Sequence, residues 1–289
     1  MPRSIEKSRL ERVPGSGRIQ RCERIIGITS IILSLLAFAC QTSGDHDPRS
    51  KDAQVLDSQK AIVRNALDTG RPEAALETMR QMLRDHPDDA SLQNLMGLTQ
   101  LSLKNSSRAI KHFQIAYKLD RQVGTGLNLS SALIENGDID RATRLLGQLT
   151  KQADKDKYPY KERIYNNLGY AFVRQNRLVK AEEWYHQALD ENPTFFPAHL
   201  ELARLYERTK RPAMAMKAYR RSIDFCIVCY EPVQALATLL IRGGKPEEAR
   251  RVLTQFEKVE GITPEDRTRA SQLLSKVTMA GIPATKHGG

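Results

Sequence analysis

The sequence has few residues of the kinds that mark a catalytic or metal centre. It has one tryptophan, four cysteines and six histidines in 289 residues. It contains no nucleophile elbow, phosphate-binding loop or zinc-protease motif. No second cysteine pair or close histidine pair completes a zinc site. We therefore expect no catalytic residue, metal, cofactor or small-molecule substrate, and we interpret the chain as a binding protein rather than an enzyme.

Positive charge is in excess, but it is not concentrated in one region. The 45 lysines and arginines against 34 acidic residues give a formal net charge of +11, a value that often indicates a nucleic-acid or anionic-membrane partner. Several basic residues precede the apolar run described next, and the others are interspersed with Asp and Glu. Recognition of a nucleic-acid backbone requires Lys and Arg clustered on one face. We therefore predict no nucleic-acid partner.

Long apolar runs are also scarce, and the one present is short for a membrane span. Residues 25–39, IIGITSIILSLLAFA, carry no charge, whereas a transmembrane helix needs about 20 apolar residues. A basic region, a short apolar stretch and small terminal residues are typical of a secretory signal. Residues 37–39 fit ordinary signal peptidase, and with Cys40 they also resemble a bacterial lipobox with imperfect first positions. We predict a lipoprotein signal peptide at 1–39 and lipidation of Cys40, with ordinary cleavage or an uncleaved anchor as alternatives.

The predicted anchor sets the expected location of the protein. Acyl chains on Cys40 would hold it stably at a membrane, because each buried methylene contributes about 0.8 kcal/mol. In enterobacterial-type sorting an aspartate after the cysteine retains lipoproteins at the inner membrane, so Gln41 favours the periplasmic face of the outer membrane. Residues 40–55 are polar and include Gly44 and Pro48, which predicts a flexible tether.

The rest of the chain repeats one pattern about every 34 residues. A turn precedes an alanine, a large apolar residue follows that alanine by four positions, and a residue that is small in every repeat but the first precedes it by twelve. The alanines are Ala75, Ala109, Ala142, Ala181, Ala215 and Ala249. The large residues are Met79, Phe113, Leu146, Tyr185, Tyr219 and Leu253. The preceding residues are Val63, Gly97, Ser130, Gly169, Ala203 and Ala237.

This pattern resembles the tetratricopeptide repeat, a helix–turn–helix unit of 34 residues. Small residues allow the two helices of a unit to approach closely, and the large residues fill the space between successive units. The resemblance implies an all-α fold, a right-handed superhelix of about six repeats at 56–263, because one hairpin cannot bury its apolar face alone. The units are 56–89, 90–122, 123–156, 162–195, 196–229 and 230–263. Extra residues around 157–161 lengthen the third linker.

Two further segments follow the sixth unit. Thr263 is a suitable N-cap, and Pro264 suits the first position of a helix. We predict that residues 264–280 form a capping helix that shields the last apolar face. Residues 281–289 are expected to form a disordered tail.

The two remaining cysteines, Cys226 and Cys229, lie between the fifth and sixth units. In an oxidising compartment a spare pair usually forms a disulfide, and residues three apart at a helix end can reach the required Cα separation. We predict a disulfide that staples this turn. A thioredoxin-like redox role would require a strand–helix context, which the surrounding helical pattern does not provide.

The first helix of each unit is expected to line the concave groove. Its second, fifth, ninth and twelfth positions tend to face a bound partner. From these positions we predict a mixed apolar and polar groove. Its candidate residues are Asn94, Leu98, Leu101, Leu127, Ile134, Asn166, Tyr170, Val173, Leu200 and Arg204. Asparagine is suited to this role because its amide can hydrogen-bond the backbone of a bound segment.

The predicted lipid anchor and about six repeats together resemble the type IV pilus biogenesis/stability lipoproteins, the repeat-containing pilotins. The resemblance covers residues 25–280. It implies an outer-membrane adaptor that binds a secretin subunit and promotes its membrane insertion and multimerisation. Because a repeat fold does not determine a partner, two other functions remain open: a periplasm-facing scaffold for cell-wall enzymes or proteases, and a component of another secretion or tight-adherence pilus system.

Overall fold

The computed structural model describes residues 48–280, which form a series of α-helices. Within that range no residue forms a strand. The helices pair in chain order into six hairpins, followed by one single helix. They are α1 (Pro48–Asp68), α2 (Pro72–Asp85), α3 (Ala90–Ser102), α4 (Ser106–Asp120), α5 (Val123–Asn136), α6 (Ile139–Lys155), α7 (Lys161–Arg174), α8 (Leu178–Glu191), α9 (Phe196–Arg208), α10 (Pro212–Phe225), α11 (Tyr230–Arg242), α12 (Pro246–Glu257) and α13 (Pro264–Ala280). This arrangement confirms the predicted all-α repeat fold with a C-terminal capping helix.

The chain divides into two units between Gln54 and Val55. In the first, the described residues form the beginning of α1, which starts at Pro48. The last part of the tether predicted at 40–55 is therefore helical. Pro48 fits the first position of this helix, because the N–H that proline lacks would have no partner there. The predicted signal peptide, Cys40 and the tail at 281–289 lie outside the described residues.

All six hairpins turn with the same backbone geometry. One residue in each turn has a positive φ, between 56° and 89°. The next amide N–H donates to the carbonyl five residues earlier, at 2.8–2.9 Å, which is the Schellman motif that closes a helix. The turn residues are Gly70, Lys104, Gly137, Asn176, Lys210 and Gly244. Their spacing equals that of the repeated alanines, so the sequence period is also the structural period.

The repeated residues form the core between the helices. Every alanine, every large residue and every preceding small residue of the sequence pattern is buried. Gly97 shows why small residues are needed, since a Cβ atom there would lie 2.5 Å from the Phe113 ring. Gly169 meets the Tyr185 ring at the same distance. The close approach of paired helices therefore depends on the absence of a side chain at these positions.

The insertion in the third unit is only partly a linker. Helix α6 is 17 residues long, whereas α4 has 15 and α8 has 14. The remaining extra residues form the turn 156–160, in which the rings of Tyr158 and Tyr160 meet edge to face at 5.7 Å. Lys161 Nζ then forms a salt bridge with Asp154 Oδ1 at 2.6 Å.

Among the helices of residues 48–280, none is both long and apolar enough to cross a membrane.

Candidate partner-binding groove

Asparagine side chains join the first helices of consecutive units. Asn128 Nδ2 on α5 donates to Asn94 Oδ1 on α3 at 2.9 Å. Asn167 Nδ2 on α7 donates to Ser131 Oγ on α5 at 3.0 Å. Because these residues recur at the repeat spacing, their hydrogen bonds fix one first helix against the next along the groove. Part of the polar lining of the groove is therefore structural.

Three hollows open along the first helices. The N-terminal hollow, about 400 Å³, is lined by Arg64, Leu67, Asp68, Ser91, Asn94, Leu95, Leu98 and Ser102. The central hollow, about 270 Å³, is lined by Leu127, Asn128, Ser131, Arg163, Asn166, Asn167, Phe195 and Pro197. The C-terminal hollow, about 440 Å³, is lined by Phe196, Leu200, Cys229, Tyr230, Glu231, Pro232, Gln234, Asp266 and Arg269. Each is bounded by at least two first helices, as expected for sites between repeats.

The structure places the ten predicted groove residues in four different environments, the last of which holds only Ile134. Five line the hollows, although the leucines among them expose little surface: Asn94, Leu98, Leu127, Asn166 and Leu200. Three are partly buried and pack against the core: Leu101, Tyr170 and Val173. Arg204 is exposed.

Ile134 corrects the prediction. It is 0% exposed and belongs to the core cluster formed by the hairpins. The prediction was wrong at this position because the stacked helices cover the side chain completely, which its place in the unit alone does not show. Ile134 therefore cannot contact a bound segment.

Arg204 is held by two carboxylates. Its guanidinium pairs with Glu201 on the same helix and with Glu231 on α11. Burial raises the pKa of the Glu201 carboxyl above its ordinary value, and the positive charge of Arg204 opposes that rise. Close by, Tyr219 Oη donates to Glu207 Oε2 at 2.6 Å, and Arg242 pairs with the other oxygen of that carboxylate at 3.4 Å. Each of these charged side chains thus has a partner of opposite charge within the protein.

The central hollow differs because its polar groups are not all satisfied. Asn166 Oδ1 is buried and has no hydrogen-bond partner among the described residues. Arg163, another lining residue, is exposed and forms no ion pair within that part of the chain. Leu127, Phe195 and Pro197 provide an apolar wall. The hollow therefore combines one unsatisfied amide, one available cation and an apolar surface.

Two residues that line this hollow were not among the ten predicted groove residues, although they stand at unit positions expected to face the groove. Arg163 and Ser131 occupy the second and ninth positions of their units, which are among those expected to face the groove. Arg163 has no carboxylate within ion-pairing distance in the described part of the chain, and only the fold reveals this. Within residues 48–280, no group of His, Cys, Asp or Glu side chains is arranged to hold a metal ion.

Cys226 and Cys229 are joined by a disulfide in the turn between α10 and α11, with their Cα atoms 5.4 Å apart. The bridge holds a short loop whose tip exposes two apolar side chains. Ile227 is 58% exposed and Val228 is 43% exposed. A separate apolar hollow of about 250 Å³, lined mainly by α10, α11 and α12, lies next to this loop and includes Ile227.

Replacing both cysteines with serine should lower the free energy of unfolding by about 1–2 kcal/mol, because the closed loop is very short and its entropy effect is correspondingly small. Urea denaturation measures this change. The same shift should appear in the wild-type protein under reducing conditions, and the double variant should not respond to the reductant. A shift of more than about 4 kcal/mol would show that the bridge determines the fold of the last repeats.

The fold and this groove define a class of protein, the helical-repeat solenoids that bind other molecules along stacked hairpins. Family models described as tetratricopeptide repeats match residues 60–123 and 127–195, 196–225 and 235–255. Together these matches cover more than half of the chain. The chain belongs to the tetratricopeptide-repeat family.

Comparisons with curated proteins reveal two kinds of similarity. The chain is 22% identical over 192 residues to the type IV pilus assembly protein PilF of Pseudomonas aeruginosa, an alignment that covers 65% of this chain and 75% of that protein. It is 28% identical over 97 residues to the human protein O-mannosyl-transferase TMTC2, but this alignment covers 34% of the chain and only 11% of that much longer protein.

Solved structures show the same fold at low sequence identity. A structure of Pseudomonas aeruginosa PilF has a TM-score of 0.53 at 17% identity, covering 76% of this chain and 98% of that one. PilW, described as a widely conserved type IV pilus biogenesis factor, has a TM-score of 0.56 at 16% identity, covering 75% and 98%. Yeast Tom70 has a TM-score of 0.60 at 15% identity, but only 47% of its chain is covered. These similarities establish the fold alone.

Proposed function

We propose that the protein is an outer-membrane lipoprotein adaptor of a type IV pilus system. In this proposal it acts as a pilotin: it binds a secretin subunit and promotes the insertion and multimerisation of the secretin ring. The observation that carries the proposal is the alignment with the pilus assembly protein PilF, which extends over three-quarters of that protein's length. The lipid expected on Cys40 supplies the membrane attachment that the function requires.

The proposed mechanism is physical rather than catalytic. A lipid on Cys40 would keep the groove at the membrane and so raise the local concentration of the bound subunit there. The groove would cover an amphipathic segment of that subunit until the ring assembles. The hydrogen bonds between first helices, such as Asn128 to Asn94, support this role because they hold the groove in one shape before the partner binds.

The lipid anchor gives the first test. We expect Cys40→Ser to move the protein from the outer-membrane fraction to the soluble periplasmic fraction, because the acyl chains attach to that sulfur. Mass spectrometry of the mature wild-type N-terminus should show a diacylglycerol on Cys40. A wild-type N-terminus that lacks acyl groups would contradict the anchoring part of the proposal.

The partner is tested separately. In cells lacking the protein, we expect secretin multimers to disappear from the outer membrane while secretin monomers accumulate, and affinity capture of the wild-type protein from membranes should recover the secretin subunit. Cell-wall enzymes serve as the control and should retain their normal levels and activity. Normal secretin rings together with altered wall enzymes would favour the scaffold function instead.

A further inference from the structure

The first helix of the repeat stack exposes aliphatic side chains. Val55 is 56% exposed and Ile62 is 64% exposed. They lie seven residues apart, which is about two helical turns, so both are on one side of α1. Ser58 and Asn65 lie on the same side and are also exposed. We call these four residues, Val55, Ser58, Ile62 and Asn65, the N-terminal face.

The later units bury the residue at the position of Ile62. Each later first helix contacts the second helix of the unit before it. The residue that directly precedes the small residue of the repeat, as Ile62 does, is at most 6% exposed in all five later units: Met96, Leu129, Leu168, Leu202 and Leu236. Within residues 48–280 no unit precedes α1. Ile62 therefore belongs to a helix-packing surface that the stack uses five times and that is uncovered at its first helix.

The two ends of the stack differ in the polarity of their terminal helices. A terminal repeat that faces water needs a polar outer face, and every exposed residue of α13 between Glu265 and Thr278 is polar or charged. Helix α1 meets this requirement only in part, because Val55 and Ile62 are aliphatic. Both are β-branched, and such residues are less favourable on an exposed helix than alanine, lysine or glutamate. Neither helix propensity nor solubility accounts for them, which indicates that another helix covers this face.

The polar residues of the N-terminal face indicate which helix fits. None of its four residues is charged, so two copies of the face can meet without the repulsion that like charges would cause. A serine hydroxyl and an asparagine carboxamide each donate and accept hydrogen bonds, so Ser58 and Asn65 can pair with their own counterparts. A contact between identical surfaces requires this self-complementarity.

Two other occupants fit this face less well. The C-terminal end of another copy presents only polar exposed side chains between Glu265 and Thr278, so it offers no aliphatic surface to Ile62. A lipid surface is matched by helices that carry many lysines and arginines beside their apolar residues, and the N-terminal face has none.

We propose that the protein forms a homodimer in which the N-terminal faces of two copies pack against each other. The contact is two-fold symmetric, so each copy uses the same residues and the assembly closes at two chains. Val55 and Ile62 supply the buried aliphatic surface, and Ser58, which is between them in sequence, lies near the symmetry axis. This inference is independent of which partner binds in the groove, and it gives each assembly two grooves.

Disulfide crosslinking tests the contact in the full-length protein. Ser58→Cys places a thiol at the centre of the N-terminal face, and intact cells that produce this variant are treated with diamide, which oxidises two thiols to a disulfide and is itself reduced. We expect a covalent homodimer, in which mass spectrometry finds two copies of the peptide that contains position 58 joined together. Ser275→Cys is the matched control, because Ser275 is an exposed serine on the terminal helix α13, and it should form at least about tenfold less dimer.

A charge on the N-terminal face provides a second measurement. In the Ser58→Cys background, Ile62→Lys should reduce the crosslinked dimer at least about tenfold, because the contact would then desolvate two like charges. The helical circular-dichroism spectrum should not change, since Ile62 is exposed in the single chain. Val179→Lys is the control, because Val179 is 73% exposed on α8, and its replacement should change the amount of dimer by no more than about twofold.

Three results would overturn the inference. Equal amounts of dimer from Ser58→Cys and Ser275→Cys would mean that copies collide without a specific contact. Dimer that persists in Ile62→Lys would exclude the N-terminal face as the interface. A thiol at position 58 that remains free, or that crosslinks only to another protein or to a cysteine before Pro48 in its own chain, would show that no second copy covers the face.

Discussion

Replacing Asp89 with alanine should lower the free energy of unfolding by about 2–4 kcal/mol, since it removes a helix cap and also leaves a buried ammonium group unpaired. Asp89 Oδ1 accepts from the backbone N–H of Leu92 at 3.1 Å and caps α3. Its other oxygen accepts from Lys60 Nζ on α1 at 2.9 Å. The Lys60 side chain is only 11% exposed, so its charge has little access to water once the carboxylate is gone.

The matched control is Asp88→Ala. Asp88 is exposed, and its replacement should change stability by no more than about 0.5 kcal/mol. A second variant separates the two causes: in Asp89→Ala combined with Lys60→Met, no unpaired charge remains, so only the cap loss of about 1 kcal/mol should persist. Equal loss in the single and double variants would contradict the role of the buried ion pair.

The effect should depend on pH with a defined sign. Burial alone would raise the pKa of the Asp89 carboxyl, but the hydrogen bonds from Lys60 and Leu92 outweigh it and hold that pKa below its ordinary value of 3.8. A carboxyl with a lowered pKa in the folded state stabilises the fold above the unfolded-state pKa. The stability difference between wild type and Asp89→Ala should therefore be full at neutral pH and shrink as the pH falls through 3.8 and below. Urea denaturation at several pH values measures it.

The repeat fold could be predicted because its determinants are local in sequence. An alanine and a large residue four positions later recur in every unit, so each unit carries the same information about packing. The positive φ of the turn residues Lys104 and Lys210 could not be predicted in this way, because lysine has no preference for that conformation. The hydrogen bonds of the turn impose the positive φ at both positions. Gly70 occupies the same turn in the first unit and is the residue that the geometry favours.

The groove could be predicted only in part because exposure depends on neighbouring units. Asn94 and Leu98 line a hollow as the unit positions indicate, yet Ile134 at another of those positions is completely buried in the core. The hydrogen bond between Asn128 and Asn94 likewise exists only once two units are stacked. Which polar residue remains unsatisfied is a property of the assembled repeats, and Asn166 is recognisable only there.

The contact between Gly97 and Phe113 leads to the second large effect. Gly97→Ala should lower the free energy of unfolding by about 1–3 kcal/mol, because the new Cβ would lie 2.5–2.8 Å from three atoms of the Phe113 ring. That ring is 0% exposed, so it cannot move aside without disturbing the stacked helices. Thermal or urea denaturation measures the change.

Gly147→Ala is a control in which the same substitution should have the opposite sign. Gly147 lies within α6, is exposed, and has no atom within 4 Å of the position that a Cβ would take. Alanine there should stabilise the protein by about 0.5–1 kcal/mol through helix propensity alone. The two variants should thus differ by about 1.5–4 kcal/mol although their chemistry is identical.

A compensating change tests whether the steric contact is the cause. In the background of Gly97→Ala, Phe113→Leu removes the ring atoms that the new methyl group would meet, so the two substitutions together should be less destabilising than the sum of their separate effects. Strict additivity would mean that alanine at position 97 acts through something other than this contact. Coupling between the two substitutions would explain why small and large residues recur together in the sequence. The large side chain of one helix occupies the space that a small residue leaves free on the facing helix.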